Sequence, residues 1–164
     1  LLFGGVPVEW TSRYGNITFN QHGREFPLGG INEQGLAIEI LWLPETQFPD
    51  QDATPSVNEA QWIQYQLGTA GSVQEAMAQA KSIAINPVFA KTHYMACDKS
   101  GVCASFEYID GKLVTQIMSE TVMTNSAYNE SVSTLKNYKG FFPANIGLIG
   151  WKSMISDFRE TSLS

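Results

Sequence analysis

The run Leu36-Ala37-Ile38-Glu39-Ile40-Leu41-Trp42-Leu43, closed by Pro44, constrains this chain more than any other feature. It is rich in strand-forming side chains and almost continuously apolar, which marks a central strand asking for cover on both faces. The rest of the sequence offers material for that cover. Before it lie strand-like segments at Asn16–Asn20 and Glu25–Gly30, separated by a turn at Gln21–Arg24. The segment Asn32-Glu33-Gln34-Gly35 reads as a tight turn, because Asn and Gly tolerate positive φ at little cost. Residues 44–55 hold Pro44, Pro49 and Pro55 and read as a loop between layers.

Two capping-box signatures follow, Ser56-Val57-Asn58-Glu59 and Ser72-Val73-Gln74-Glu75, each predicting a helix start. The second helix carries Val73, Ala76, Met77, Ala80, Ile83 and Ala84 at helical spacing, one apolar face. From Thr92 the period becomes that of strands: His93–Cys97, a turn at Asp98–Gly101, Val102–Ile109, the hairpin signal Asp110-Gly111, and Lys112–Met118. A short strand ending in Thr121–Asn125 completes the meander, Glu130–Tyr138 reads as helix, Gly140–Gly150 as loop, and Trp151–Ser164 as a last helix. Strands, a helix pair and further antiparallel strands give an α+β fold, layered as a sandwich.

The 164 residues suit one domain, and 43% hydrophobic against 16% charged residues excludes intrinsic disorder. A net charge of −6 without a basic run argues against nucleic acid as a partner. No apolar stretch reaches the roughly 18–20 residues of a membrane span, and residues 1–5 lack the pattern of a targeting signal. There is no G-x-S-x-G elbow, no P-loop and no H-E-x-x-H. His22 and His93, the two histidines, read as surface or structural residues, with no acid partner legible beside them. Cys97 and Cys103 lack metal-ligand spacing and read as packed core thiols; across the intervening turn they could approach disulfide distance, within strict geometry. No cofactor or metal is expected.

Several blocks carry a resemblance. Trp10-Thr11-Ser12-Arg13-Tyr14-Gly15-Asn16-Ile17-Thr18-Phe19-Asn20, then Gly23-Arg24-Glu25-Phe26-Pro27 and Gly29-Gly30-Ile31-Asn32-Glu33-Gln34-Gly35-Leu36, resemble the choloylglycine hydrolase family of linear amide hydrolases, which includes penicillin V acylases and bile salt hydrolases. The likeness continues through Trp42-Leu43, Asn58–Leu67, Cys97–Gly101 and Met123–Tyr128. It implies a four-layer αββα sandwich of the N-terminal nucleophile hydrolases, here incomplete at both ends, with residues 1–164 as a partial domain. It also implies a reaction in which an N-terminal cysteine thiolate attacks an amide carbonyl while its own α-amino group serves as base. Carried onto this sequence, Asn125 matches the asparagine whose side-chain amide donates to the oxyanion. Trp42 stands where bile salt hydrolases carry an asparagine; its main-chain amide is the second expected donor, and its indole would line the acyl pocket. Read from the residues alone, Asn125 caps a turn into the next helix and Trp42 ends a core strand. Asn32 and Gly35 read as turn formers.

The family's nucleophilic cysteine, its accompanying aspartate and its catalytic arginine have no counterpart in these 164 residues. The expectation is therefore an internal fragment, inactive as written and poorly soluble because its sheet lacks partner strands. The expected partner is a small acylated amide: a phenoxyacetylated penicillin, an N-acyl homoserine lactone or a conjugated bile acid. Trp42 tilts the choice away from bile acids. A non-catalytic acyl-binding module of the same fold is the alternative. Family likeness further implies a homo-oligomeric parent, periplasmic or secreted.

Overall fold

In a computed structural model, residues 8–21, 23, 26–49, 55–88 and 90–137 are described. His22, the loop at 140–150 and the tail at 151–164 lie outside them. The first of two units, Leu1–Ser119, holds a six-stranded antiparallel sheet. Its strands are β1 (Asn16–Asn20), β2 (Pro27–Asn32), β3 (Ala37–Trp42), β6 (Thr92–Cys97), β7 (Cys103–Ile109) and β8 (Lys112–Ile117), adjacent in that order. Between β3 and β6 the chain makes β4 (Ser56–Val57), α1 (Glu59–Thr69), α2 (Val73–Gln79) and β5 (Ala84–Ile85). The α+β class read from the sequence is the observed one.

Local chemistry explains the turns. Gly35 (φ 84°) closes the β2–β3 turn, and Asp110 (φ 51°) with Gly111 (φ 72°) forms the β7–β8 turn, where two successive left-handed residues match the strand twist. Helix α1 begins two residues later than the Ser56 signature suggests. Asn58 is its cap: its side chain accepts from the Gln61 N–H (2.8 Å), and the Gln61 side chain accepts from the Asn58 N–H (3.0 Å). Ser56 is instead paired with Ala84 in the two-residue parallel ladder of β4 and β5, which joins the two ends of the helical excursion. Ser72 caps α2 as expected, accepting from the Glu75 N–H (3.2 Å). The helix stops at Gln79 rather than running through Ile83 and Ala84, because those residues are drawn into or beside β5.

Both helices lie on one face of the sheet. Trp62, Ile63 and Leu67 of α1 and Val73, Ala76 and Ala80 of and after α2 meet Leu36, Ile38, Tyr94, Ala96, Ala104 and Phe106. The Trp62 ring lies 4.4 Å from Tyr94 and 5.2 Å from Phe106, centroid to centroid. β3 is central as expected, but burial on both faces does not hold: Ile38 is fully buried on the helix side, whereas Glu39 on the opposite face is exposed. On the face away from the helices, Ile17, Phe19 and Ile31 of β1 and β2 are exposed as well.

The helix pair is keyed to the sheet by Asn32. Its buried amide donates to the Leu67 carbonyl (2.9 Å) and the Ala70 carbonyl (2.7 Å), while its oxygen accepts from Gln34 and Leu36 N–H (3.0 Å each). The segment before β1 adds a strap across α1. Trp10 packs edge-on to Tyr65, and the N–H groups of Arg13 and Tyr14 donate to the Gly68 carbonyl (2.7 and 3.2 Å). Gly68 leaves room for that strap, since a Cβ there would stand 2.6 Å from the Ser12 hydroxyl and 3.2 Å from its Cβ.

Cys97 and Cys103 form a disulfide, correcting the expectation of packed thiols. They are directly opposed in the β6–β7 ladder, which brings their Cα atoms within 4.1 Å. The second unit, Glu120–Ser164, contributes α3 (Tyr128–Asn137), close to the predicted helix. Residues 121–125 are not a strand; Tyr128 Oη accepts from the Glu120 N–H (2.9 Å) and donates to its carbonyl (3.1 Å), which folds this stretch back on the helix start.

Two outcomes are expected. Asn32→Ala leaves two carbonyls and two N–H groups without their partner and should cost about 2–4 kcal/mol in urea unfolding. Asn32→Asp sets a carboxylate against the same carbonyls, so its cost should grow as pH rises; a variant as stable as the parent would remove Asn32 from this role. Burial also pushes the Tyr108 hydroxyl up to about 12 and Tyr94 well above its ordinary value. Their native pKa values exceed the unfolded ones, so stability is intact below pH 10 and is lost as pH rises through about 12. Urea midpoints across that window, with tyrosinate absorbance, test it.

Candidate functional site

Trp42 ends β3, and its indole is 62% exposed. The next residue fixes the direction of its main chain: the Leu43 N–H donates to the Lys91 carbonyl (3.0 Å) on the β6 side. N–H groups alternate along an antiparallel strand, so the Trp42 N–H faces the opposite side. There the β2–β3 ladder has already ended at the Gly29↔Glu39 pair. Trp42 thus combines an exposed ring with a main-chain donor turned away from the ladder.

An open groove of about 710 Å³ adjoins it, with Trp42, Pro44 and Phe48 among its lining on one loop and Val88, Ala90 and Lys91 on the other. Each loop is anchored. The Thr46 hydroxyl, buried, donates to the Thr92 carbonyl (3.0 Å), and the Gln47 N–H donates to the Tyr108 carbonyl (3.0 Å). The opposite loop is held by Glu59, the first residue of α1 and fully buried. One oxygen of its carboxylate accepts from Val88 N–H (3.0 Å) and Ala90 N–H (3.0 Å), and the other also from Val88 N–H (3.1 Å). The sequence marks Glu59 in a capping signature and within the family-like block Asn58–Leu67, in neither case as a loop anchor. Its position at a helix start, where negative charge is favoured, was legible; its loop partners, some 30 residues on, were not.

Asn125 lies in the second unit, exposed at a bend three residues before α3. It neither ends a strand nor occupies the position that caps α3. Its neighbours are tethered, with Glu120 bonded to Tyr128 and the Thr124 and Ser131 hydroxyls 3.2 Å apart.

His93 has the acid partner that the sequence did not reveal: Nδ1 lies 3.0 Å from a Glu107 oxygen, with both side chains buried. The two face each other across β6 and β7, on the side away from the helices. Glu39, on that same side and exposed overall, has its carboxyl pushed up by partial desolvation. Asp98, in the hairpin turn, is held below the ordinary carboxylate range, first by the Ser100 hydroxyl and then by the Val73 N–H. Among the described residues no three His, Cys, Asp or Glu side chains gather as a metal site, and no helix is long and apolar enough to cross a membrane.

The antiparallel sheet under a helix pair is an α+β fold of the N-terminal nucleophile hydrolase class. It superposes on penicillin V acylase from Agrobacterium tumefaciens with a TM-score of 0.72 and 34% identity, over 83% of this chain and 45% of that one. A variant of conjugated bile acid hydrolase from Clostridium perfringens shares the fold (TM-score 0.71, 20% identity, 81% and 44% covered). In sequence, the chain is 34% identical to penicillin V acylase of Pectobacterium atrosepticum over 97% of its own length and 47% of that protein. A family model for linear amide C–N hydrolases, choloylglycine hydrolase family, matches residues 12–157, and the chain belongs to that family. It spans about half the length of these relatives.

Glu59→Ala should cost about 2–4 kcal/mol and speed hydrogen exchange at the Val88 and Ala90 amides ahead of global unfolding. Unchanged protection at those two amides would show that the loop stands without it.

Proposed function

We propose that the protein to which these residues belong hydrolyses the amide bond of small linear acylated substrates, with Trp42 and Asn125 as the oxyanion donors. The observation that carries the reading is the main-chain N–H of Trp42, turned away from the β6 ladder beyond the last β2 pair and beside an apolar-walled groove. Developing negative charge on a tetrahedral oxyanion needs donors already in place, and a strand-end amide costs no reorganisation when the charge appears. The side-chain amide of Asn125 would be the second donor, neutral and independent of pH. The indole of Trp42 offers a flat apolar face to the acyl part. That face suits a phenoxyacetyl or aliphatic acyl group, so phenoxyacetylated penicillins and N-acyl homoserine lactones rank ahead of conjugated bile acids.

The nucleophile of this reading is a thiolate, and the chain's own two cysteines are joined to each other. We therefore place the attacking cysteine outside these 164 residues and read the isolated chain as inactive. The alternative is an acyl-binding module of the same fold without turnover. Assay of the full-length protein against the three substrate types separates the two.

Asn125→Ala in that protein should lower kcat by about 10²–10³ with a far smaller change in KM. Binding of acyl substrates without release of the amine would instead establish the binding module. A folded protein that neither cleaves nor binds them would end both readings.

A further inference from the structure

Lys91 stands out by charge. The chain is acidic overall, with 10 Lys and Arg against 16 Asp and Glu, yet the groove beside Trp42 includes a lysine in its lining. Among the described residues the ion pairs are Arg13 with Glu75 and His93 with Glu107, so Lys91 is not neutralised by a neighbouring carboxylate. Its main chain is fixed from three sides. The carbonyl accepts from the Leu43 N–H, the preceding Ala90 N–H is held by buried Glu59, and the following Thr92 enters β6 opposite Trp42. The side chain itself is exposed. A lysine places a strongly hydrated point charge on a flexible apolar stem, which suits a groove with apolar walls and an open mouth.

We infer that Lys91 is a specificity-determining residue of this groove, selecting amides that carry a carboxylate. The apolar acyl part lies against Trp42, and the substrate's carboxylate pairs with the Lys91 ammonium. The inference rests on the amide-hydrolase reading and adds a charge requirement that Trp42 and Asn125 do not supply. It separates the two substrate types that the Trp42 face alone ranks together, placing phenoxyacetylated penicillins, which carry a carboxylate, ahead of the neutral N-acyl homoserine lactones. The pairing is solvent-exposed, so its contribution is modest and sensitive to salt.

The test uses the full-length protein and two substrates differing in one group, N-phenoxyacetylglycine and its neutral carboxamide, N-phenoxyacetylglycinamide. At low ionic strength the acid should show a KM about three- to fivefold lower than the amide. Lys91→Met should bring the two KM values together, Lys91→Arg should keep them apart, and added salt should narrow the gap in the parent protein. Thermal melts establish that each variant is folded. If both substrates are cleaved and Lys91→Met leaves the KM ratio unchanged, the role of Lys91 is overturned while the hydrolase reading stands. If the folded parent cleaves neither probe yet hydrolyses one of the three substrate types, this inference is overturned while the hydrolase reading stands; if it hydrolyses none of them, the hydrolase reading falls and this inference falls with it.

Discussion

The buried amide of Asn32 is the interaction on which the rest of the first unit depends. One side chain supplies two donors and two acceptor contacts, so a tight turn, the end of a helix and the strand between them are fixed together. Helix α1 then works as a ruler of about 16 Å. Asn32 grips its C-terminal end, and Glu59 at its N-terminal end grips the loop that lines the groove. The position of that loop relative to Trp42 is thereby set by two buried polar groups. Their desolvation is offset only while every partner is present.

The sheet separates two chemistries. Its helix-bearing face is closed by apolar side chains around Trp62, Tyr94 and Phe106. The other face mixes exposed Ile17, Phe19 and Ile31 with the buried pair His93 and Glu107 and the buried hydroxyl of Ser105. His93 Nε2 and Ser105 Oγ have no hydrogen-bond partner among the described residues. The groove lies at the strand end of β3, where ladder pairing gives way to loops and a main-chain N–H can be spared.

Much of this was legible in the sequence. Asp110-Gly111, Asn32 through Gly35 and the Ser72 cap each gave a local instruction that the tertiary structure obeys. The β6–β7 hairpin shows where reading fails. Taking residues 98–101 as the turn pairs Cys97 with Val102; the actual ladder opposes Cys97 to Cys103, and Val102 faces Asp98, whose N–H donates to the Val102 carbonyl (3.0 Å). A one-residue slip exchanges the faces of a strand, which hides the partnership of His93 with Glu107; the disulfide was open to the sequence as a possibility across this turn, and the register decides it. β4 and β5 were missed because two-residue strands have no period, and Glu59 because its partners are distant in sequence. The family likeness pointed to Trp42 and Asn125. Periodicity alone would have left the first in the core and the second in a cap.

The sulfur bridge between β6 and β7 ties this chain's folding to the redox state of its surroundings. Its closed loop is short, so in a chain-entropy account it restricts the unfolded chain by only about 2–3 kcal/mol. That is still a sizeable part of a marginal stability. Where thiols are kept reduced, the hairpin relies on Asp98 and the ladder alone; where they are oxidised, the strand bearing His93 and the strand bearing Glu107 are held in register by a covalent bond.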